Sequence, residues 1–234
     1  MYKRTVSTLI ALALLLMAVP LFFDPVSAAD SKPVFVSDLS DTTATTGDAF
    51  DFEVNVTDDY TVSSVYVEYW YGSGSSTNAS MSMTGFNWTY QITIPSGSND
   101  TLYYRFHASD NASQWAHHPS ATTNTSVLVT DNDDPTVTDN SATAGTTGES
   151  FFFDVSASDN IEVLVVTATY SHNTVTGTNM TMVDDGDGTY SLSITALDDS
   201  TANLVYSIMV WDTSFNMVTS GPTSVSVTDN DPPI

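Results

Sequence analysis

The chain of 234 residues carries 28 Asp and Glu against four Lys and Arg, a formal net charge of −24. A phosphate backbone needs several cationic contacts, so this balance excludes nucleic acid as a partner and equally excludes electrostatic attachment to anionic lipid. With no Cys and 41% hydrophobic residues, stability has to come from apolar cores and bound ions rather than from disulfides.

At the N-terminus, Lys3 and Arg4, the apolar run from Leu9 to Val19 and the small residues Val26, Ser27 and Ala28 form the three parts of a secretory signal. Cleavage is expected after Ala28. A membrane anchor is the competing reading, but the run is interrupted at Pro20 and, even extended to Phe23, falls short of the ~20 apolar residues that span a bilayer. The expectation is a signal peptide over 1–28, a secreted or extracellular cell-surface protein, and no transmembrane segment after signal removal.

Beyond the signal the chain repeats itself. Gly47 recurs as Gly148, and the same step takes Phe50, Phe52 and Val54 to Phe151, Phe153 and Val155, Asp58 and Asp59 to Asp159 and Asn160, and Tyr69 to Tyr170. After a shift of one residue, Leu102, Tyr104, Phe106 and Asp110 fall on Leu204, Tyr206, Ile208 and Asp212. The unit closes on SVLVTDND from Ser126 and again on SVSVTDND from Ser224, each followed by proline. The organisation read from this is a first repeat over 29–130, an acidic linker over 131–134, a second repeat over 135–228, and the start of a further linker or repeat over 229–234. A chain that ends so is expected to be a fragment of a longer array.

Within each repeat, FDFEVNV from Phe50, YQITI from Tyr90 and LVYSIMV from Leu204 alternate apolar and polar residues, the period of an antiparallel strand with one face buried. The segments GSGSSTN from Gly72, PSGSND from Pro95 and DDGDG from Asp184 supply turns between them. In the first repeat the pattern predicts seven strands, near residues 33–37, 49–57, 62–71, 79–84, 88–94, 101–109 and 124–130. Seven short strands in each repeat indicate an all-β chain of two tandem seven-stranded antiparallel β-sandwiches of the immunoglobulin type.

The pattern TG, FxFxVxxxDD, VxV and LxYxFxAxD resembles the immunoglobulin-like and fibronectin type III-like repeats found in tandem on prokaryotic, particularly archaeal, surface proteins. VLVTDNDDP and VSVTDNDPP are similar to the cadherin junction, where a last strand runs into an acidic linker and a proline. The resemblance implies a non-catalytic structural or adhesion module whose partners are other surface proteins or like repeats of a longer chain.

Sandwich topology gives the linker a physical reading. The loop after the second strand and the loop before the last lie at the end where the first strand begins. Asp159 with Asn160, and Asp212, should therefore stand beside Asp131, Asp133 and Asp134, with the turns holding Asp48 and Asn99–Asp100 contributed by the first repeat. Carboxylates about 4 Å apart repel by roughly 4 kcal/mol at an effective dielectric near 20, so such a ring calls for a counter-ion. Calcium, which takes 6 to 8 oxygen ligands in flexible geometry, suits it. The alternative is that Asp and Asn are simply good turn residues. Only the joint at Asp131 to Asp134 is expected to hold an ion. DDGDG is not an EF-hand, since Val183 and Ile194 stand where that loop needs acids, and it reads as a hairpin turn.

Tyr104 and Tyr206 stand where this fold often places a tyrosine corner. Trp70 and Trp115 fall off the inward register, so an aromatic face that stacks on sugar rings is a second reading, a carbohydrate-binding accessory module for polysaccharide. A surface-layer lattice component is a third. Sequons for glycosylation occur at Asn55, Asn78, Asn87, Asn99, Asn111, Asn124 and Asn179. There is no HExxH, no GxSxG, no phosphate loop and no Cys nucleophile, and His117 and His118 read as loop residues, so no catalysis is expected.

Overall fold

The computed structural model describes residues 29–177 and 179–232. The expected signal peptide and the terminal Pro233 and Ile234 lie outside the described residues. The chain divides into Met1–Asp30 and Ser31–Ile234, and both sandwiches belong to the second part.

Alternation sets the strands of the first sandwich, which are β1 (Val34–Asp38), β2 (Ala44–Thr45), β3 (Ala49–Thr57), β4 (Val62–Tyr71), β5 (Thr77–Ser80), β6 (Ser82–Thr84), β7 (Asn87–Thr93), β8 (Leu102–Asp110), β9 (Trp115–His118), β10 (Thr125–Val127) and β11 (Val129–Thr130). The second contains β12 (Thr136–Asp139), β13 (Ala144–Thr146), β14 (Ser150–Ser158), β15 (Val163–His172), β16 (Asn179–Thr181), β17 (Val183–Asp184), β18 (Thr189–Thr195), β19 (Leu204–Asp212) and β20 (Met217–Thr228). One sheet runs β1-β3-β7-β6 and the facing sheet β10-β8-β4-β5, with β9 also on β8; the second sandwich repeats this as β12-β14-β18-β17 and β13-β20-β19-β15-β16. β2 and β13 pair in parallel with β11 and β20. The described chain is therefore all-β, two tandem immunoglobulin-like sandwiches.

Each sandwich has its own core. Phe50, Phe52, Val54 and Val56 of β3 point inward against Val65, Val67, Leu102, Tyr104 and Phe106, and Phe151, Phe153, Val155 and Ala157 do the same against Val166, Ala168, Leu204, Tyr206 and Ile208. The outward alternates are free to vary: Phe152, between two core residues, is 59% exposed.

Two local features, at Met81 and at His117–His118, differ from the pattern expected of the sequence, and the DDGDG turn agrees with it. The strand expected at 79–84 divides at Met81, whose side chain is buried while the chain crosses from the sheet of β4 to the sheet of β7. Met182 makes the same crossing in the second sandwich, each methionine amide donating to a core-strand carbonyl (Val65 or Val166) at 2.9 Å. His117 and His118 are not in a loop; they belong to β9, which pairs with β8 from Ser109↔Trp115 to Phe106↔His118. Ala-His-His has little strand propensity of its own, and the open edge of β8 supplies the partner that makes it a strand. DDGDG is the hairpin between β17 and β18, with Gly186 and Gly188 at positive φ.

The corner tyrosines find a different acceptor from the usual backbone group. Tyr104 donates its hydroxyl to Asp38 Oδ2 at 2.9 Å and Tyr206 to Asp139 Oδ2 at 2.8 Å, tying the central strand of one sheet to the first strand of the other. Burial, reinforced by the neighbouring Asp38 or Asp139 carboxylate, pushes both phenols above their ordinary pKa. A raised phenol pKa means the contribution is whole below about pH 10, the unfolded value, and is lost as pH rises through the folded one. Removing a hydrogen bond to a charged acceptor costs roughly 1.5–3 kcal/mol. Tyr104→Phe and Tyr206→Phe should each lower stability by about that amount in denaturant titrations, and an unchanged midpoint would show the bond to be incidental.

Candidate metal centre

Asp159 follows β14, Asp212 ends β19, and Asp131 comes directly after β11, so the fold delivers one carboxylate from the linker and two from loops at one end of the second sandwich. One carboxylate oxygen from each lies within 4.8 Å of the other two. Asp131 is 8% exposed and Asp212 is fully buried.

Each carboxylate does local structural work first. Asp159 Oδ2 accepts from the amides of Ile161 at 2.8 Å and Glu162 at 3.1 Å. Asp212 Oδ1 accepts from the amides of Ser214 and Asn216, both at 2.8 Å, and its Oδ2 from the Asn216 side chain at 2.8 Å. Asp131 Oδ1 accepts from the Thr46 hydroxyl at 2.7 Å, the Asn160 amide group at 3.1 Å and the Asp133 backbone amide at 3.2 Å. These bonds account for one oxygen of Asp131 and one of Asp159. The others, Asp131 Oδ2 and Asp159 Oδ1, are buried without a hydrogen-bond partner, as is the Asn160 side-chain oxygen. Turn capping explains the first set and leaves the second unexplained.

Burial alone would push the Asp131 carboxyl up, but hydrogen bonds from Thr46, Asn160 and the amides of Asp133 and Asn132 outweigh it and hold the pKa below its ordinary value. The group is therefore an anion at neutral pH. No protein cation offsets it: the only Lys and Arg among the described residues are Lys32 and Arg105, and Arg105 is paired with Glu68 at 2.6 Å.

Asp133, Asp134 and Asp48 stand outside the group of three. Asp133 Oδ2 lies 3.0 Å from the Thr46 hydroxyl. Asp134 is exposed. Asp48 accepts from Thr45 at 2.6 Å and from the Asn132 side chain at 3.0 Å, and these bonds lower its pKa. Asn99 borders a surface depression with Thr130, Asp131 and Ser214, whereas Asp100 lies against Gly72. Pattern reading missed Thr46 and Asn216. The Asn216 amide group reaches the Asp131 carbonyl at 3.3 Å, and that of Asn160 donates to the Ser96 carbonyl at 2.8 Å. Thr46 of the first sandwich and Asn160 of the second thus meet at one carboxylate, with Ser96 bound to Asn160 and Asn216 bound to the Asp131 backbone.

The repeat register carries part of this arrangement to the other end of the first sandwich. Asp58 accepts from the amides of Tyr60 and Thr61 as Asp159 does from Ile161 and Glu162, and Asp110 accepts from Gln114 as Asp212 does from Asn216. Asp58 Oδ2 and Asp110 Oδ2 are again buried without a hydrogen-bond partner.

Elsewhere, Trp115 is 46% exposed on β9 and Trp70 is half-buried on β4. Five sequon residues, Asn78, Asn99, Asn111, Asn124 and Asn179, are exposed. Asn55 and Asn87 are half-buried and hydrogen-bonded to each other, and Asn87 also donates to Glu53. Among the described residues no helix is long and apolar enough to cross a membrane.

No family model and no curated protein matches the chain. Among solved structures it is similar to the titin domains Z1Z2 in complex with telethonin, at 14% identity over 86% of this chain and 97% of that one, with a TM-score of 0.39. It is also similar to domains A168-A170 of titin, at 13% identity over 86% and 67% of the two chains, with a TM-score of 0.42. Likeness at this level adds nothing to the site, and the architecture rests on the strand pairing itself.

A lowered carboxyl pKa contributes stability that is present above the unfolded value near 3.9 and is lost as pH falls through the folded one. Unfolding scans between pH 5 and pH 2 should therefore show an acid-side loss that is smaller in Asp131→Asn. Thr46→Val, which removes the shortest of the bonds to Asp131, should cost about 1.5–3 kcal/mol at neutral pH.

Proposed function

We propose that the chain is a non-catalytic spacer or adhesion module of a cell surface, its two sandwiches locked by calcium at the joint. Asp131, Asp159 and Asp212 hold the ion. The observation that carries the reading is their convergence from the linker and two loops, with buried oxygens of Asp131, Asp159 and Asn160 lacking a protein partner. Anions this close repel by several kcal/mol unless neutralised. Proton uptake at Asp131 runs against its lowered pKa. A hard divalent cation supplies the charge, and carboxylate, amide and carbonyl oxygens are the donors that calcium prefers.

The mechanical consequence follows from where the ligands sit. An ion shared by the linker and the second sandwich, next to the Asn160–Ser96 bond across the joint, removes the freedom to pivot that a four-residue linker otherwise leaves. The partners implied are other surface proteins or like repeats of a longer chain.

Calcium at about 100 times its Kd should raise stability by roughly 2.7 kcal/mol. Thermal unfolding and calorimetric titration of the full chain, with calcium and with chelator, measure this directly. Asp159→Asn and Asp212→Asn should abolish the shift, while Asp134→Asn should leave it. Small-angle scattering should show a narrower range of inter-sandwich angles with calcium. An unfolding temperature unmoved by calcium or chelator would refute the site.

A further inference from the structure

The second sandwich is an internal control for the first. Their cores match position by position, so residues that differ on corresponding outward positions are not demanded by the fold. On the outer face of β4, β8 and β9 the first sandwich carries Tyr66, Glu68, Arg105, His107, Trp115 and His117. The pairing register places Thr167, Thr169, Ser207, Met209, Met217 and Thr219 at those points in the second. A sandwich of this type folds with threonines and methionines there. The first has instead assembled on one face three aromatic or imidazole groups over β8 and β9, a carboxylate and one of its two described Lys or Arg residues.

The geometry is that of a built surface. Tyr66 and Trp115 lie with centroids 6.3 Å apart and planes at 30°, and Trp70 stacks on Tyr103 at 5.8 Å and 20° with the Arg105 guanidinium 5.9 Å from its ring centre. Two cavities share Glu68. One of about 440 Å³ is lined by Tyr66, Glu68, Asn78, His107, Trp115 and His117. The other, of about 300 Å³, is lined by Glu68, Trp70, Gly74, Ser76, Arg105 and Asn124. Each therefore pairs a tryptophan with carboxylate and amide groups.

Hydrogen bonding fixes the polar edge. Glu68 Oε2 accepts from Arg105 Nε at 2.6 Å and stands 3.1 Å from His107 Nε2, and the Arg105 bond foremost holds the Glu68 pKa at about 2. The two imidazoles are joined as well, with His107 Nδ1 and His117 Nδ1 2.7 Å apart, one donating to the other. The face so offers donors and acceptors beside flat rings.

Charge and shape select the ligand. Glu68 is matched by Arg105, so the face does not call for a cation. An anionic ligand would meet the field of a strongly acidic chain. Neutral sugar rings present an apolar C–H face for stacking and hydroxyls for the polar edge, and the cavity sizes fall in the range for small ligands.

We propose that the outer face of β4, β8 and β9 binds a neutral saccharide of two or more rings, one against Trp115 and Tyr66 and another against Trp70, with Glu68 between them. The saccharide has two sources. It is either a free polysaccharide or a glycan carried by the chain itself, since Asn78 and Asn124, each the first residue of a sequon, line the two cavities.

The full chain is made in a host without N-glycosylation and in one with it. A panel of neutral polysaccharides is run in affinity gels and by tryptophan fluorescence against the unglycosylated form. The free source predicts binding that falls at least tenfold in Trp115→Ala and several-fold in Trp70→Ala, while Trp115→Phe and Met217→Ala retain it. The self-carried source predicts no such binding but glycans on Asn78 and Asn124 by mass spectrometry, with Trp115→Ala lowering the unfolding temperature of the glycosylated chain by several degrees more than that of the unglycosylated one. Neither pattern, or binding that survives both alanine changes, overturns the proposal.

Discussion

The structure of the joint depends on one buried carboxylate that belongs to neither sandwich. Asp131 takes a hydroxyl from Thr46 on one side and an amide from Asn160 on the other, and Asn160 also grips the Ser96 carbonyl. Two bodies with separate cores and a short linker have no apolar reason to hold a fixed angle. An anion held between them changes this, because a rotation that separates Thr46 from Asn160 costs the carboxylate hydrogen bonds from one side or the other. The angle between the sandwiches is thereby tied to the solvation of a single side chain.

Much of this was legible in the sequence, for reasons that lie in the period and the repetition. A strand with one buried face writes its alternation into the chain, and two copies of the same alternation are two readings of one fold. Asp159 and Asp212 could be brought to Asp131 by topology, since the loops in question share an end in any sandwich of this type. The membership of the group could not. In an extended linker, successive side chains leave on different sides, so Asp131 turns inward while Asn132 reaches Asp48 on the surface. Thr46 and Asn216 carry no local signal in a chain rich in Ser, Thr and Asn. Only their register, Thr46 with Thr147 and Asn216 four residues after Asp212, marks them. β9 was illegible for the opposite reason, because its strand character comes from the partner edge and not from Trp115–His118.

Repetition also separates what the fold requires from what it merely permits. Inward positions keep their character from one sandwich to the next, as Phe50 and Phe52 do in Phe151 and Phe153, because a core filled at high density punishes change. Capping aspartates recur as well, at Asp58 and Asp159, because both turns need their amides satisfied. Outward positions are under neither constraint. The cluster of aromatic, imidazole and charged side chains on the outer face of the first sandwich consists of cross-strand partners, Tyr66 with His107, Glu68 with Arg105 and Trp70 with Tyr103, that the second sandwich folds without.

The scarcity of basic residues joins these two regions of the molecule. A chain with many lysines could have neutralised its joint with a side chain, and the carboxylates there would then be an ordinary ion-pair network. Here Arg105 is engaged by Glu68 on the outer face and Lys32 is the only other Lys or Arg described, so Asp131, Asp159 and Asp212 face one another without a protein counter-charge. The same choice makes the outer face locally neutral on a strongly anionic protein. One guanidinium, placed at Glu68 rather than at the linker, pairs the carboxylate of the outer face and leaves the three at the joint to hydrogen bonds from hydroxyl and amide groups.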